Sequence, residues 1–153
     1  MLDEKDSKIL QLLQNDGRMT NVDLARYVEL TPSATLERVR KLEERGLIRG
    51  FAAQLNSKAL NLGLVAFIYV RVETDVIESD SVAKAISKIP NVLEVHEIAG
   101  EDCLLVKVKA RDTDDLYRMM KEEFGNLKQI SSTRTTIVLH TIKETQSIPV
   151  PTV

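Results

Sequence analysis

"TPSATLERVRKLEERGLIRGF", Thr31 to Phe51, is the stretch on which the reading of the whole chain turns. Thr31 followed by Pro32 predicts a helix start: a hydroxyl able to cap free N–H groups, then a residue whose missing N–H costs nothing in the first turn. Leu36, Val39 and Leu42 recur at helical spacing and predict a buried stripe, and Gly46 ends the helix. Five cations lie here, Arg38, Arg40, Lys41, Arg45 and Arg49, in a chain of formal charge −2. With the aliphatic residues turned inward, Ser33, Ala34, Glu37, Arg38 and Lys41 are expected on the outer face. Taken alone, such a helix is more simply a solvated surface, because Glu37, Glu43 and Glu44 stand where they can pair with Arg40 and Lys41.

What precedes the stretch reverses that weighting. In "LDEKDSKILQLLQNDGR", Asp3 can cap, Ile9, Leu10, Leu12 and Leu13 form an apolar stripe, and Gly17 follows the stop. In "MTNVDLARYVELT", Thr20 and Asp23 make a variant capping box, with Val22, Leu24, Ala25 and Val28 expected inside. Two short helices joined to a third by a turn of about three residues make a helix-turn-helix. Leu47 to Leu55 then reads as an exit or wing strand. In that setting the outer face of the third helix suits a DNA major groove, where Arg and Lys meet guanine edges and Ser bonds to either base partner. Arg40, Arg45 and Thr31, nearer the rim, suit phosphates, which supply affinity rather than base reading.

The composition permits this. A chain of 153 residues, 43% hydrophobic, can bury a core, and with 4% aromatics and no Trp that core must be aliphatic. Residues 1–62 carry ten Lys/Arg against nine Asp/Glu, and residues 63–153 eleven against fourteen, a weak asymmetry favouring the first half for an anionic partner. A single cysteine, Cys103, excludes a disulfide framework or a thiolate metal cluster. The acidic start does not resemble a secretion signal, and the longest apolar run, Leu62 to Val70, is too short for a membrane span. A cytoplasmic protein with no membrane association is expected.

After the loop "NSKALNLG" the period changes. Strands are expected at 64–74, 92–100, 103–111 and 130–142, and helices at 79–91 and 112–125. The order β-α-β-β-α-β predicts an α+β, ferredoxin-like second domain. Val65, Phe67, Tyr69, Val106, Val108, Ile137 and Leu139 exceed what two helices cover, which predicts dimerisation through the sheets. The expected division is 1–50 for the helix-turn-helix, 51–63 for exit strand and linker, and 64–153 for the second domain.

Other candidates are weaker. Gly100-Glu101-Asp102 reads as a ligand loop or as a tight hairpin turn, and on sequence alone the hairpin is the stronger reading. His96 and His140 have no neighbour at metal-ligand spacing, Cys103 reads as a small apolar residue, and Asp112, Asp114 and Asp115 are explained by helix capping. No serine stands in a nucleophile context, and nothing looks catalytic.

Taken in order, D-x-x-D-x-x-I-L in the first helix, "ERVRKLEERG" in the third, the exit "GLIRGF", the loop "GEDCLLVKV" and the closing "TIKETQSIPV" resemble the Lrp/AsnC, or feast/famine, regulators. The resemblance covers essentially the whole chain. It implies a winged-type helix-turn-helix that binds double-stranded DNA, and a second domain through which copies dimerise and assemble, commonly into octamers. It also implies a small effector, often an amino acid, held near Glu97, Ile98, Gly100, Glu101 and Asp102 and near Thr133 and Thr135 of the last strand. Many members carry an acid three residues after the glycine, where this chain has Cys103 and keeps Asp102 one position earlier. At such a site Gly100 allows close backbone approach to a carboxylate, and Asp102 or Glu101 takes an ammonium group. No cofactor is expected. Rival readings are a nucleoid-organising DNA binder without effector, and an amino-acid-sensing module of a metabolic enzyme, which leaves residues 1–50 unexplained.

Overall fold

The computed structural model describes residues 2–73 and 76–151, with backbone alone at 76–79, so Thr74 at the end of the expected first strand lies outside it. The chain divides into two compact units, Met1–Gln54 with Lys143–Val153, and Leu55–Ile142. The tail expected to finish the second domain therefore lies with the first. There Gln14 brackets Ile148, its amide donating to the Ile148 carbonyl at 2.8 Å and accepting from its N–H at 2.9 Å.

In the first unit, α1 (Glu4–Asn15) opens on a full capping box between Asp3 and Asp6. Ile9 and Leu13, four residues apart, are its buried apolar pair, while Leu10 and Leu12 are half-buried. Helix α2 (Asn21–Val28) is capped by Thr20, whose Oγ accepts from Asp23 N–H at 3.1 Å. Leu24, Ala25 and Val28 are buried as expected, but Val22 is 49% exposed. It precedes the inward pair Leu24–Ala25 by an angle that carries it off the buried stripe.

Helix α3 (Pro32–Glu44) follows a three-residue turn, and Thr31 caps it by accepting from Ala34 N–H at 3.3 Å. Its inner face is Thr35, Val39 and Leu42, with Leu36 only half-buried. Thr35 is fully buried because its hydroxyl donates to the Thr31 carbonyl at 3.0 Å, which satisfies the polar atom inside the core. At the far end Gly46 (φ +70°) forms a Schellman closure: Leu47 N–H bonds Leu42 O at 2.9 Å, and Gly46 N–H bonds Glu43 O at 2.8 Å. The core joins Ile9, Leu13, Leu24, Val28, Val39 and Leu42.

The expected exit strand does not form: residues 47–56 contain no strand pairing. An extended segment becomes a strand only with a partner, and Phe51 packs its ring against Gly17 instead, within 3.2 Å of where a Cβ would stand.

The second unit has β1 (Leu64–Val72), α4 (Val76–Ile86), β2 (Val92–Glu97), β3 (Leu104–Ala110), α5 (Thr113–Met119) and β4 (Ile130–Ile137). Helix α5 continues into a π turn, Met120–Phe124, closed where a Cβ at Gly125 would collide with the Lys121 carbonyl. The sheet is antiparallel in the order β2-β3-β1-β4, the ferredoxin-like arrangement expected. Ala66, Ile68, Val70 and Val72 of β1 join Leu104, Val106, Val108 and Ala110 of β3 and the buried residues Val82, Ile86, Leu116, Met119 and Phe124 of the helices.

This corrects one expectation. Val106 and Val108 are both 0% exposed, on the helix side of the sheet. The opposite face carries Val65, Phe67, Tyr69 and Leu105, all half-buried, with Arg134 lying 4.2 Å over the Tyr69 ring. Register places Ile137 beside Ala66 on the helix side, and β4 ends there, leaving Leu139 and His140 beyond the strand.

Candidate nucleic-acid interface and ligand loop

The turn and caps described above present α3 with one side in the core and the other in solvent. Ser33, Glu37, Arg40, Lys41 and Arg45 are exposed, Ala34 is half-buried, and Thr31 is exposed at the helix start. Thr31 Oγ is already engaged by the cap and stands 3.2 Å from Ser33 Oγ. Glu37 and Lys41 form an i,i+4 pair at 2.7 Å, and the Lys41 ammonium holds the Glu37 carboxyl below its ordinary pKa. Arg40 and Arg45 have no partner among the described residues. They are the groups best disposed to meet phosphates, since no internal ion pair must first be broken. A shallow groove of about 410 Å³ between α1 and α3 is lined by Asp6, Ala34, Glu37, Arg38, Lys41 and Arg45, among others.

Arg38 departs from its expected place. Spacings of three and four put it beside Thr35 and Leu42 of the inner stripe and equally beside Ala34 and Lys41, so it stands half-buried at the edge between the two faces. Its Nη1 donates to Asp3 Oδ2 and Asp6 Oδ1, each at 2.6 Å, with Asp6 only 11% exposed at the side chain. These bonds raise the Arg38 pKa, Asp3 first. Asp3 in turn is held low by the N–H of Asp6 and then by the guanidinium. Sequence reasoning missed Lys5 as well, whose Nζ donates to the carbonyls of Val28 and Glu29 at 2.6 and 3.2 Å. The signal was present in "DEKD", where the acids at 3 and 6 share one helix side and Lys5 falls on another.

In the second unit, the loop between β2 and β3 holds Ile98, half-buried, and Gly100 and Glu101, exposed, just past the exposed Glu97. Gly100 has φ +144°, a conformation that side chains rarely adopt, and the space where a Cβ would stand is open. The loop is tied at its base by Ile98 N–H to Cys103 O and by Cys103 N–H to Val70 O. Cys103 is half-buried, as a small apolar residue would be, and its Sγ lies 3.8 Å from Val72 O. Two arginines that sequence reasoning did not single out converge on the loop. Arg134 Nη2 donates to Asp102 Oδ2 at 3.1 Å, and Arg71 Nε donates to the Glu101 carbonyl at 3.0 Å, with Nη2 4.0 Å from Asp102 Oδ1. Thr133 and Thr135 stand opposite Val70 and Ile68 in the register, sharing one strand face, and both are exposed. The register thus brings Gly100–Asp102 and Thr133 to one end of the sheet, with Thr135 two residues further in.

Among the described residues no group of acids, histidines and cysteine could hold a metal ion, and His96 pairs with Glu94 at 3.3 Å. Among the described residues no helix is long and apolar enough to cross a membrane.

These features match known proteins over the whole chain. The family model of the Lrp/AsnC ligand-binding domain matches residues 65–148, and that of a winged helix-turn-helix DNA-binding domain matches residues 2–49. The chain is 35% identical over 149 residues to the HTH-type transcriptional regulator FL11 of Pyrococcus horikoshii, covering 97% of each. It is 34% identical over 154 residues to the leucine-responsive regulatory protein of Escherichia coli K12, covering 99% of this chain and 93% of that one. Among solved structures, a transcriptional regulator of Neisseria meningitidis in complex with L-Met matches with a TM-score of 0.92 at 35% identity, covering 97% of each chain. With a helix-turn-helix before a ligand-binding sheet domain, the chain belongs to the Lrp/AsnC family of transcriptional regulators.

Proposed function

We propose that the chain works as an assembly of copies joined through the open face of its sheet, and that a small amino acid bound beside Gly100 shifts that assembly or its grip on DNA. The observation that carries the effector reading is the ion cluster of Asp102, Arg71 and Arg134 beside a glycine with free space. A zwitterion offers both charges. Its ammonium competes for the half-buried Asp102 while its carboxylate competes for the exposed Arg71 or Arg134, and pairs with one partner in solvent are weak enough to exchange. The N–H of Gly100 is a further donor at the same end of the sheet, whereas Thr133 and Thr135, paired with Val70 and Ile68, turn to the helix side, away from Arg71 and Arg134. The L-Met complex of the Neisseria regulator supports an amino acid in a domain of this fold. The protein acts by binding, without catalysis or a cofactor, on DNA in the cytoplasm.

An effector must favour one assembly state, since equal affinity for both shifts nothing. Calorimetry with the twenty amino acids, beside sedimentation of the full chain, tests this. At least one amino acid should give heat, change the oligomer distribution, and bind more weakly to Asp102→Asn. Silence from all twenty at millimolar concentration, with an unchanged oligomer, would leave a DNA-binding assembly without such a switch.

A further inference from the structure

The first turn of α1 holds both other helices of the DNA-binding unit. Asp3 and Asp6 each give one carboxylate oxygen to the capping box: Asp3 Oδ1 accepts from Asp6 N–H at 2.8 Å, and Asp6 Oδ2 from Asp3 N–H at 3.4 Å. Each gives its other oxygen to Arg38 Nη1 in the middle of α3. Lys5, between them in sequence, turns to α2 and donates to its last carbonyls, those of Val28 and Glu29. Side chains of one turn therefore fasten the end of α2 and the centre of α3 to a common base.

Aliphatic packing among Ile9, Leu24, Val39 and Leu42 fixes how far apart the helices lie. It fixes less well how each is rolled about its axis, because dispersion contacts are non-directional and many small repackings are cheap. A guanidinium bridging two carboxylates is directional, since its planar fork accepts partners only along set bonds. Neither exposed ion pairs, as with Asp3, nor largely buried ones, as with Asp6, add much net stability, so orientation is the more fitting role for this one. A roll of α3 would swing Ser33, Glu37 and Lys41 together across the surface they present.

We infer that Asp3, Lys5, Asp6 and Arg38 form a clamp that sets the roll of α3 against α2, making Arg38 a positioning residue for base reading. It touches carboxylates of its own chain and leaves contact with DNA to the outer face.

The test uses the full chain and a duplex selected by the wild type from a random-sequence pool. Affinities are measured for that duplex and for each of its single base-pair substitutions, at one salt concentration. Arg38→Gln should lower discrimination at all read positions together, by roughly tenfold in the ratio of selected to scrambled duplex, a coupling in the mid-range for contacting residues. Asp6→Asn, altered on a different helix, should give the same flattened profile, and the double variant should lose little more than either alone. Loss of preference at a single base pair in Arg38→Gln, with the Asp6→Asn profile intact, would overturn the clamp in favour of direct base contact. So would lowered thermal stability with an unchanged profile in both variants. If Arg38→Gln does not fold, Asp6→Asn and the milder Asp3→Asn carry the comparison: flattened profiles support the clamp, and wild-type profiles in both contradict it.

Discussion

Inside the first unit, Ser7 is 3% exposed and its Oγ has no hydrogen-bond partner among the described residues. Thr35, at 0%, escapes the same penalty by bonding back to the Thr31 carbonyl. A hydroxyl taken out of water without a partner costs free energy that its removal restores. Ser7→Ala should therefore stabilise the protein by about 1 kcal/mol, read as a higher midpoint in urea at unchanged slope. A lower midpoint would mean that the hydroxyl is satisfied in solution. At this scale the sequence was only partly legible. That Asp3 caps could be read from its place before a helix, but that its second oxygen serves Arg38, thirty-five residues on, could not. Pairings between helices depend on how they pack, which no local pattern encodes.

Helix α3 shows how an element can be read correctly in extent and wrongly in rotation. Its start at Thr31-Pro32 and its stop at Gly46 follow from capping chemistry and stand as expected. The most hydrophobic spacing, Leu36–Val39–Leu42, points to one inner stripe, whereas the structure centres it on Thr35, Val39 and Leu42. A β-branched polar residue that satisfies its own hydroxyl can replace a leucine in the core, and this displaced Arg38 from the DNA face to the seam. Strand β3 offers a similar lesson. In "LLVKVKA" the valines alternate with Lys107 and Lys109, so the lysines already marked the side away from the helix-packed core. Element ends carry a prediction of their own. Gly46 sits at φ +70° with nothing within 4 Å of a notional Cβ, so Gly46→Ala meets no clash and incurs only the left-handed backbone cost, about 1 kcal/mol. Thermal denaturation checks this; an unchanged midpoint would show that the turn relaxes.

At the scale of the molecule, the two units divide the work. One presents a cationic helix face, and the other a sheet covered by helices on one side and carrying Val65, Phe67, Tyr69 and Leu105 on the other. The corrected placement of Val106 and Val108 separates two outcomes that the sequence alone would have merged. Phe67→Asp should leave the second unit folded and shift the chain toward monomers in light scattering, because the charge is placed on the proposed interface. Val106→Asp should unfold the unit, because it leaves a charge in a core position without partner. An assembled, wild-type-sized Phe67→Asp would contradict assembly through this face.

On the proposed function, the outer face of α3, carrying Arg40 and Arg45 whose side chains have no partner among the described residues, grips DNA. That grip is tested most directly by titrating the full chain and Arg40→Ala/Arg45→Ala against the selected duplex over a range of salt concentrations. Removing these cations should weaken binding to all sequences and make the salt slope shallower by about one for each phosphate no longer neutralised. Unchanged affinity and an unchanged slope would contradict the account.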